Sequence, residues 1–252
     1  MKKIALITGA TSGIGEATAL ILAAIGYNLI ITGRRSERLA VLQSKITDTF
    51  DVEVKCLNFD IRDNQSAIKL IGSLPVAWKK IDVLINNAGL ALGYDDFQDA
   101  KTEDWDAMID TNVKGLLYIS KIVSNLMIEN KDGLIINISS IAGTQVYAKG
   151  NVYCASKHAV DAITKSMRID LLKHGIRVSS ISPGAVETDF SNVRFKGDDQ
   201  KADAVYLGYE PLKPADIAEV IKFIMSRPPY VNINDIEITP KAQANAYYMN
   251  KN

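Results

Sequence analysis

Hydrophobic and polar positions change their period repeatedly along the chain. Short apolar runs rich in Ile, Val and Leu occupy residues 4–8, 28–32, 53–58, 81–86, 134–139 and 177–182, and each has the length of a strand. Between them, 13–25, 36–49, 64–73, 104–129 and 152–174 carry the spacing of amphipathic helices. A further helix at about 214–226 leads into a seventh apolar run at 233–239. Strands alternating with helices predict βαβ units and a parallel sheet with helices on both faces. Nearly continuous apolar strands are what such a sheet requires, because both of its faces are covered. The expected architecture is a single α/β domain over residues 1–252, a doubly wound parallel sheet of about seven strands. The pattern loosens at 189–211, a polar stretch with Lys196-Gly197-Asp198-Asp199, set off by Pro183, Pro211 and Pro214. A long irregular segment in a compact domain is either a functional lid or a disordered loop, and a substrate lid is expected here. No linker, internal repeat or low-complexity tract interrupts the chain.

Composition narrows the classes. The 252 residues suit one α/β domain with a core that needs no disulfide or metal support. Lys+Arg and Asp+Glu balance at 29 each, so no strong field favours nucleic acid or an anionic membrane. Cys56, Cys154, His158 and His174 are too few and too scattered for a disulfide framework or a zinc site, so no metal is expected. The apolar start after Lys2 and Lys3 stops at Thr8-Gly9, short of a secretory core. The apolar stretch 17–32 is broken by Gly26 and Asn28 and falls short of the roughly 20 residues that span a bilayer. The expected compartment is the cytoplasm.

The first strand runs into Thr8-Gly9-Ala10-Thr11-Ser12-Gly13-Ile14-Gly15 and then a helix. Glycines there allow a sharp turn and let backbone amides approach a pyrophosphate at a helix N-terminus. The spacing is G-x-x-x-G-x-G, unlike the common dinucleotide fingerprint, and alone it also suits an ordinary strand-to-helix turn. The second strand ends at Thr32-Gly33-Arg34-Arg35 with no acidic residue to meet ribose hydroxyls. A guanidinium there offers a planar, permanent charge to a 2′-phosphate. This points to NADP(H), with Arg34 favoured over Arg35; the alternative is that both only cap the next helix. Asp60 follows the third strand and could meet an adenine amino group or serve as a helix N-cap. Asn86, Asn87, Ala88 and Gly89 follow the fourth strand, at the sheet edge where ligands bind, and could equally serve the turn alone.

Ser139-Ser140-Ile141-Ala142-Gly143 ends the fifth strand, and Tyr153 and Lys157 stand four apart in the following helix, on one face. A free tyrosine titrates near roughly pH 10, too high for an efficient base at neutral pH. A neighbouring ammonium and an oxidised nicotinamide would both favour the phenolate. With Ser140 bonding the substrate oxygen, these parts suit hydride transfer between an alcohol or carbonyl and a nicotinamide.

At these residues the chain resembles the short-chain dehydrogenase/reductase family, whose Rossmann-type fold it would share. Thr8 to Gly15, Asn86 to Gly89, Asn112, Ser140, Tyr153 with Lys157, and Pro183-Gly184 match its motifs in order, over essentially residues 3–240. The resemblance implies that Tyr153 is the general acid/base and that Lys157 binds the nicotinamide ribose and lowers the tyrosine pKa. It makes Ser140, rather than Ser139, the substrate-orienting hydroxyl, and Asn112 the link from Lys157 to a proton relay. It also places Pro183, Gly184, Val186 and Thr188 against the cofactor, Thr188 at the carboxamide. Asn86 to Gly93, Gly150 to Tyr153 and Phe190 to Asp199 are similar to the NADP-dependent 3-hydroxy acid (serine) dehydrogenase branch. That branch oxidises L-serine, L-allo-threonine and related small 3-hydroxy acids, reduces carbonyls such as malonic semialdehyde, and is typically a homotetramer.

A small hydroxy acid carries a carboxylate that needs a cation once water is excluded. Arg194 in the lid is the first expectation and Lys196 the second, with a subunit or surface contact as the alternative for Arg194. His158 lacks the G-x-S-x-G frame of an acyl-transfer serine and is expected to pack on its helix. Trp78, Trp105, Tyr247 and Tyr248 are expected to pack in the fold or at an interface. Two other functions stay open: reduction of other ketones, diketones or 3-oxoacyl substrates, and a non-catalytic NADP(H)-binding sensor or structural subunit. An intact set of Ser140, Tyr153 and Lys157 argues against the last.

Overall fold

The computed structural model describes residues 2–251; Met1 and Asn252, the ends of the expected domain, lie outside them. Among the described residues seven strands form one sheet: β1 (Ile4–Ile7), β2 (Asn28–Gly33), β3 (Val54–Asn58), β4 (Val83–Asn86), β5 (Gly133–Ile138), β6 (Ile176–Pro183) and β7 (Asp235–Ile238). Their order is β3-β2-β1-β4-β5-β6-β7, and every neighbouring pair is parallel. The order reverses between β1 and β4, which opens a crevice at their carboxyl ends.

Alternate strand residues feed two cores. Ala5 and Ile7 of β1 pack with α1 (Gly13–Ala24), α2 (Ser36–Thr49) and α9 (Pro214–Met225) on one face. Ile4 and Leu6 pack with α3 (Asn64–Gly72) and α5 (Leu116–Asn130) on the other. Burial on both faces is why the central strands β1, β2, β4 and β5 read as apolar runs, whereas the edge strands β3 and β7 are only partly buried. Trp78 belongs to the second core, whereas Tyr247 and Tyr248 are exposed. Several buried polar side chains of the centre bond one another across elements. Asn86 Nδ2 donates to Ser120 Oγ and Asn137 Oδ1, both at 2.8 Å, and Asn137 Nδ2 donates to Thr164 Oγ1 at 2.9 Å. Asn86 thus ties β4 to β5 beneath the crevice.

Three segments differ from the sequence expectation. The single helix expected at 104–129 is α4 (Thr102–Ile109), a π-helical stretch Asp110–Gly115, and α5. The apolar spacing runs through that stretch, so the widened turn leaves no mark on the hydrophobic pattern; π-bulges are frequently found at functional sites. The loose region at 189–211 contains two short helices, α7 (Phe190–Arg194) and α8 (Asp199–Ala204). The helix expected at 152–174 is α6 (Asn151–Asp170) followed by a 3₁₀ turn, Leu172–His174.

Candidate active site

The turn after β1 is compressed by contacts only glycine allows. Gly9 has φ +66°, and a Cβ there would lie 2.9 Å from Ala88 Cα. A Cβ on Gly15 would collide with the Gly9 carbonyl oxygen. Asn87 locks the turn from the next strand: its Nδ2 donates to the Thr8 and Gly9 carbonyls at 2.9 and 3.1 Å. Thr8 Oγ1 accepts from the Asn87 and Ala88 amides, both at 3.0 Å. Ser12 opens α1 without a side-chain cap, so the first amides of that helix are free to meet an anion. The turn borders a cleft of about 1380 Å³. Every expected cofactor position lines it except Gly15, which lies beneath the turn.

Arginines gather at the β2 end of the cleft. Arg35 Nη2 donates to Thr11 Oγ1 at 2.8 Å and Ser12 Oγ at 3.1 Å. Arg34 is mostly exposed, with Nη1 3.9 Å from Asp60 Oδ2. Arg38, which sequence reasoning missed, pairs with Asp189 Oδ2 at 3.1 Å. Asp60 is not the N-cap of α3. That role belongs to Asp63, which accepts from the Ser66 amide, because the chain makes one more turn before α3 begins. Arg62 binds both Asp60 oxygens and holds that carboxyl below the usual range. These features fit a phosphorylated dinucleotide: free amides at a helix start, glycines where a backbone must come close, and a cationic rim.

The chemistry-bearing residues converge at the opposite end. Tyr153 and Lys157 are both buried on α6. Lys157 Nζ donates to the Ile138 carbonyl at 3.0 Å, and burial pulls its pKa down to about 8. Burial, and next Tyr147, push the Tyr153 phenol up; a Ser140 hydrogen bond and the Arg194 charge pull it down. In this geometry burial outweighs every charge acting on the phenol, a balance that residue spacing does not reveal. Ser140 Oγ also accepts from the Ala142 amide at 3.1 Å. Ser139 Oγ is buried near Gly143 and has no hydrogen-bond partner among the described residues.

Asn112 lies in the π-helical stretch behind the cleft wall. Its Oδ1 accepts from the Leu90 amide at 2.8 Å; its Nδ2 donates to the Leu90 carbonyl at 2.8 Å and to Ser156 Oγ at 3.0 Å. Ser156 sits between Tyr153 and Lys157 on α6 and donates to the Tyr153 carbonyl at 2.8 Å. Asn112 therefore joins the widened turn, the strip after β4 and the helix carrying Tyr153.

The 189–199 region closes over this end. Phe190 meets Tyr153 edge-on at 5.6 Å between ring centroids. The Arg194 carbonyl accepts from the Gly93 amide at 3.0 Å. Its guanidinium lies 4.8 Å from the Tyr94 ring, 5.6 Å from Tyr147 and 5.7 Å from Tyr153. Nη1 donates to the Tyr147 hydroxyl at 3.1 Å and Nε to the Gly93 carbonyl at 3.3 Å. Lys196 instead pairs with Asp104 Oδ2 at 2.7 Å, so its charge is already matched by a carboxylate. Tyr94 and Tyr147 lie in loops with no periodicity to mark them, and only the closeness of Tyr147 to Tyr153 in sequence hints at a shared wall. The C-terminal segment folds back along the same cleft. Gln243 Oε1 accepts from the Ala185 amide at 2.9 Å, and the Ala246 amide donates to Gln145 Oε1 at 2.8 Å. His158 packs on its helix as expected, its Nδ1 2.9 Å from the Cys154 carbonyl oxygen.

A family model of short chain dehydrogenases matches residues 3–199. The chain belongs to the short chain dehydrogenase family. This short chain dehydrogenase is 44% identical over 242 residues to an NADP-dependent 3-hydroxy acid dehydrogenase of Salmonella typhi, covering 96% of both chains. It is 42% identical over 245 residues to sulfoacetaldehyde reductase 2 of Chromohalobacter salexigens, covering 97% of this chain and 96% of that relative. Its structure matches the closed form of serine dehydrogenase complexed with NADP⁺ with a TM-score of 0.93 at 43% identity, covering 96% of this chain and 97% of the other.

Proposed function

We propose that this short chain dehydrogenase transfers a hydride between NADP(H) and the β-hydroxyl or β-carbonyl of small 3-hydroxy acids of the L-serine, L-allo-threonine and 3-hydroxypropionate type. The observation that carries this reading is the Arg194 guanidinium, held 5.7 Å from the Tyr153 ring by the Tyr147 hydroxyl and the Gly93 carbonyl. It sets a fixed cation beside the phenol at a distance that suits a substrate only a few atoms long, with a carboxylate at one end and a hydroxyl at the other. Likeness to the 3-hydroxy acid and serine dehydrogenases supports the same substrate class.

Each side chain has a part in the proposed reaction. Gly9, Thr11, Ser12, Gly13, Ile14 and Gly15 form the turn that receives the pyrophosphate. Arg34 takes the 2′-phosphate, because Arg35 is already bonded to Thr11 and Ser12. Asn87, Ala88, Gly89, Pro183, Gly184, Val186 and Thr188 wall the remaining length of NADP(H), which when bound supplies the hydride carrier and, oxidised, a positive ring. Lys157 binds the nicotinamide ribose. Ser140 orients the substrate oxygen, and Tyr153 holds the transferred proton at its hydroxyl. Asn112 keeps the 90–93 strip and α6 in register and so holds Lys157 in place for a relay.

The reading extends to a homotetramer in the cytoplasm. Exposed Leu117, Ile169 and Leu172 on and beside α5 and α6 are suited to subunit contact. No helix among the described residues is long and apolar enough to cross a membrane. Purified protein given NADP⁺ or NAD⁺ with L-serine, L-allo-threonine, 3-hydroxybutyrate or 3-hydroxypropionate should reduce NADP⁺ in preference, read at 340 nm. No turnover of any hydroxy acid, alongside reduction of neutral ketones, would refute the substrate class.

A further inference from the structure

Three consecutive residues at the base of the lid touch three different parts of the site. The Thr188 side chain packs where Gly13 opens α1: a Cβ on Gly13 would lie 3.1 Å from Thr188 Cγ2. Asp189 Oδ2 pairs with Arg38 Nη1 at 3.1 Å. Phe190 meets the Tyr153 ring edge-on at 5.6 Å. Asp189 is also felt by Arg35, whose pKa is lowered first by burial and then by Arg38, with Asp189 opposing both. Arg34, Arg35, Arg38 and Asp189 border one cleft. Among these arginines Asp189 is therefore an anion supplied by the chain itself.

We propose that Asp189 is an internal competitor of the cofactor's 2′-phosphate, setting NADP(H) affinity and linking occupancy of that subsite to the lid over Tyr153. The proposal rests on the reading that this arginine cluster receives the 2′-phosphate. A phosphate held by Arg34 and the Asp189 carboxylate held by Arg38 repel each other, and both draw on the positive charge of one arginine cluster. Both members of the Arg38–Asp189 pair are about half exposed, so their attraction is screened and the pair is weak enough for a phosphate to displace it. Its release frees Asp189 from α2, and with it the start of α7 at Phe190. Cofactor choice then depends on this lid carboxylate as well as on the arginines.

Titration calorimetry of the full chain with adenosine 2′,5′-bisphosphate and with 5′-AMP tests this. The wild type should prefer the bisphosphate. Asp189→Asn keeps the side-chain size, removes the charge, and should tighten the bisphosphate about threefold while leaving 5′-AMP unchanged, the scale expected of an exposed ion pair. Asp189→Ser should do the same, which separates the charge from any effect peculiar to asparagine. Unchanged or weaker bisphosphate binding in both variants, in a wild type that does prefer it, overturns the competitor role alone. A wild type that binds the two nucleotides alike overturns the phosphate reading and this proposal with it.

Discussion

Replacing Arg194 by glutamine removes a charge while keeping a hydrogen-bonding side chain near the Tyr153 phenol. In the wild type the guanidinium is already ordered by the Tyr147 hydroxyl at 3.1 Å and the Gly93 carbonyl at 3.3 Å. In the proposed reading a substrate carboxylate would therefore gain a charged hydrogen bond without having to order the arginine first. Hydrogen bonds to charged groups contribute about 1.5–3 kcal/mol and neutral ones about 0.5–1.5 kcal/mol. The difference of about 1–2 kcal/mol corresponds to roughly a 5- to 30-fold fall in kcat/KM for a carboxylate substrate, at about 1.36 kcal/mol per tenfold. The variant also loses the Nε contact to Gly93, which weakens lid closure for every substrate. The informative quantity is thus the ratio of kcat/KM for 3-hydroxypropionate to that for a neutral alcohol of similar size, measured with NADP⁺ in both proteins. A ratio that does not change, with both substrates falling together, would show that Arg194 only holds the lid.

Other expectations address the cofactor, the relay and the titration of the site. Arg34→Ala should weaken NADP⁺ far more than NAD⁺ in equilibrium binding; equal losses would contradict a 2′-phosphate contact. Asn112→Ala leaves the buried Leu90 amide and carbonyl without their partner and removes one of the two bonds of Ser156 Oγ, and should cost about 2–5 kcal/mol in urea unfolding. A loss under about 1 kcal/mol would mean that the network re-forms through water. Lys157 titrates near 8 because burial disfavours its charge, so the ammonium is present below that pH and lost above it. NADPH affinity, followed by fluorescence, should fall between pH 7 and 9 in the wild type and stay level in Lys157→Gln; parallel curves would exclude the ammonium as the titrating group.

What could be read from residues alone followed physical locality. The strands were visible because a sheet covered on both faces needs unbroken apolar runs, and the helices because one side of each packs on that sheet. The turn after β1 was visible because its glycines are forced by close approach. Tyr153 and Lys157 were visible because helix geometry brings positions four apart together. The π-helical stretch was not, since the apolar spacing passes through it unchanged. Nor were Tyr94, Tyr147 and the Arg38–Asp189 pair, which depend on loops and the lid meeting across long sequence separations. Asp60 was ambiguous for the same reason: only the fold shows Arg62 gripping it and Asp63 capping α3. The pKa balance at Tyr153 depends on burial, and burial is a property of the folded chain.

In the proposed reaction Tyr153 moves the proton while the rest of the cleft holds the cofactor. Tyr153→Phe removes one oxygen from a buried ring and leaves its edge contact with Phe190 available. With NADP⁺ and 3-hydroxypropionate or L-serine, absorbance at 340 nm should show turnover lost by at least about a hundredfold, the scale of a positioned acid/base, while NADP⁺ binding by calorimetry stays near wild type. Retained turnover with intact binding would rule out Tyr153 as the acid/base.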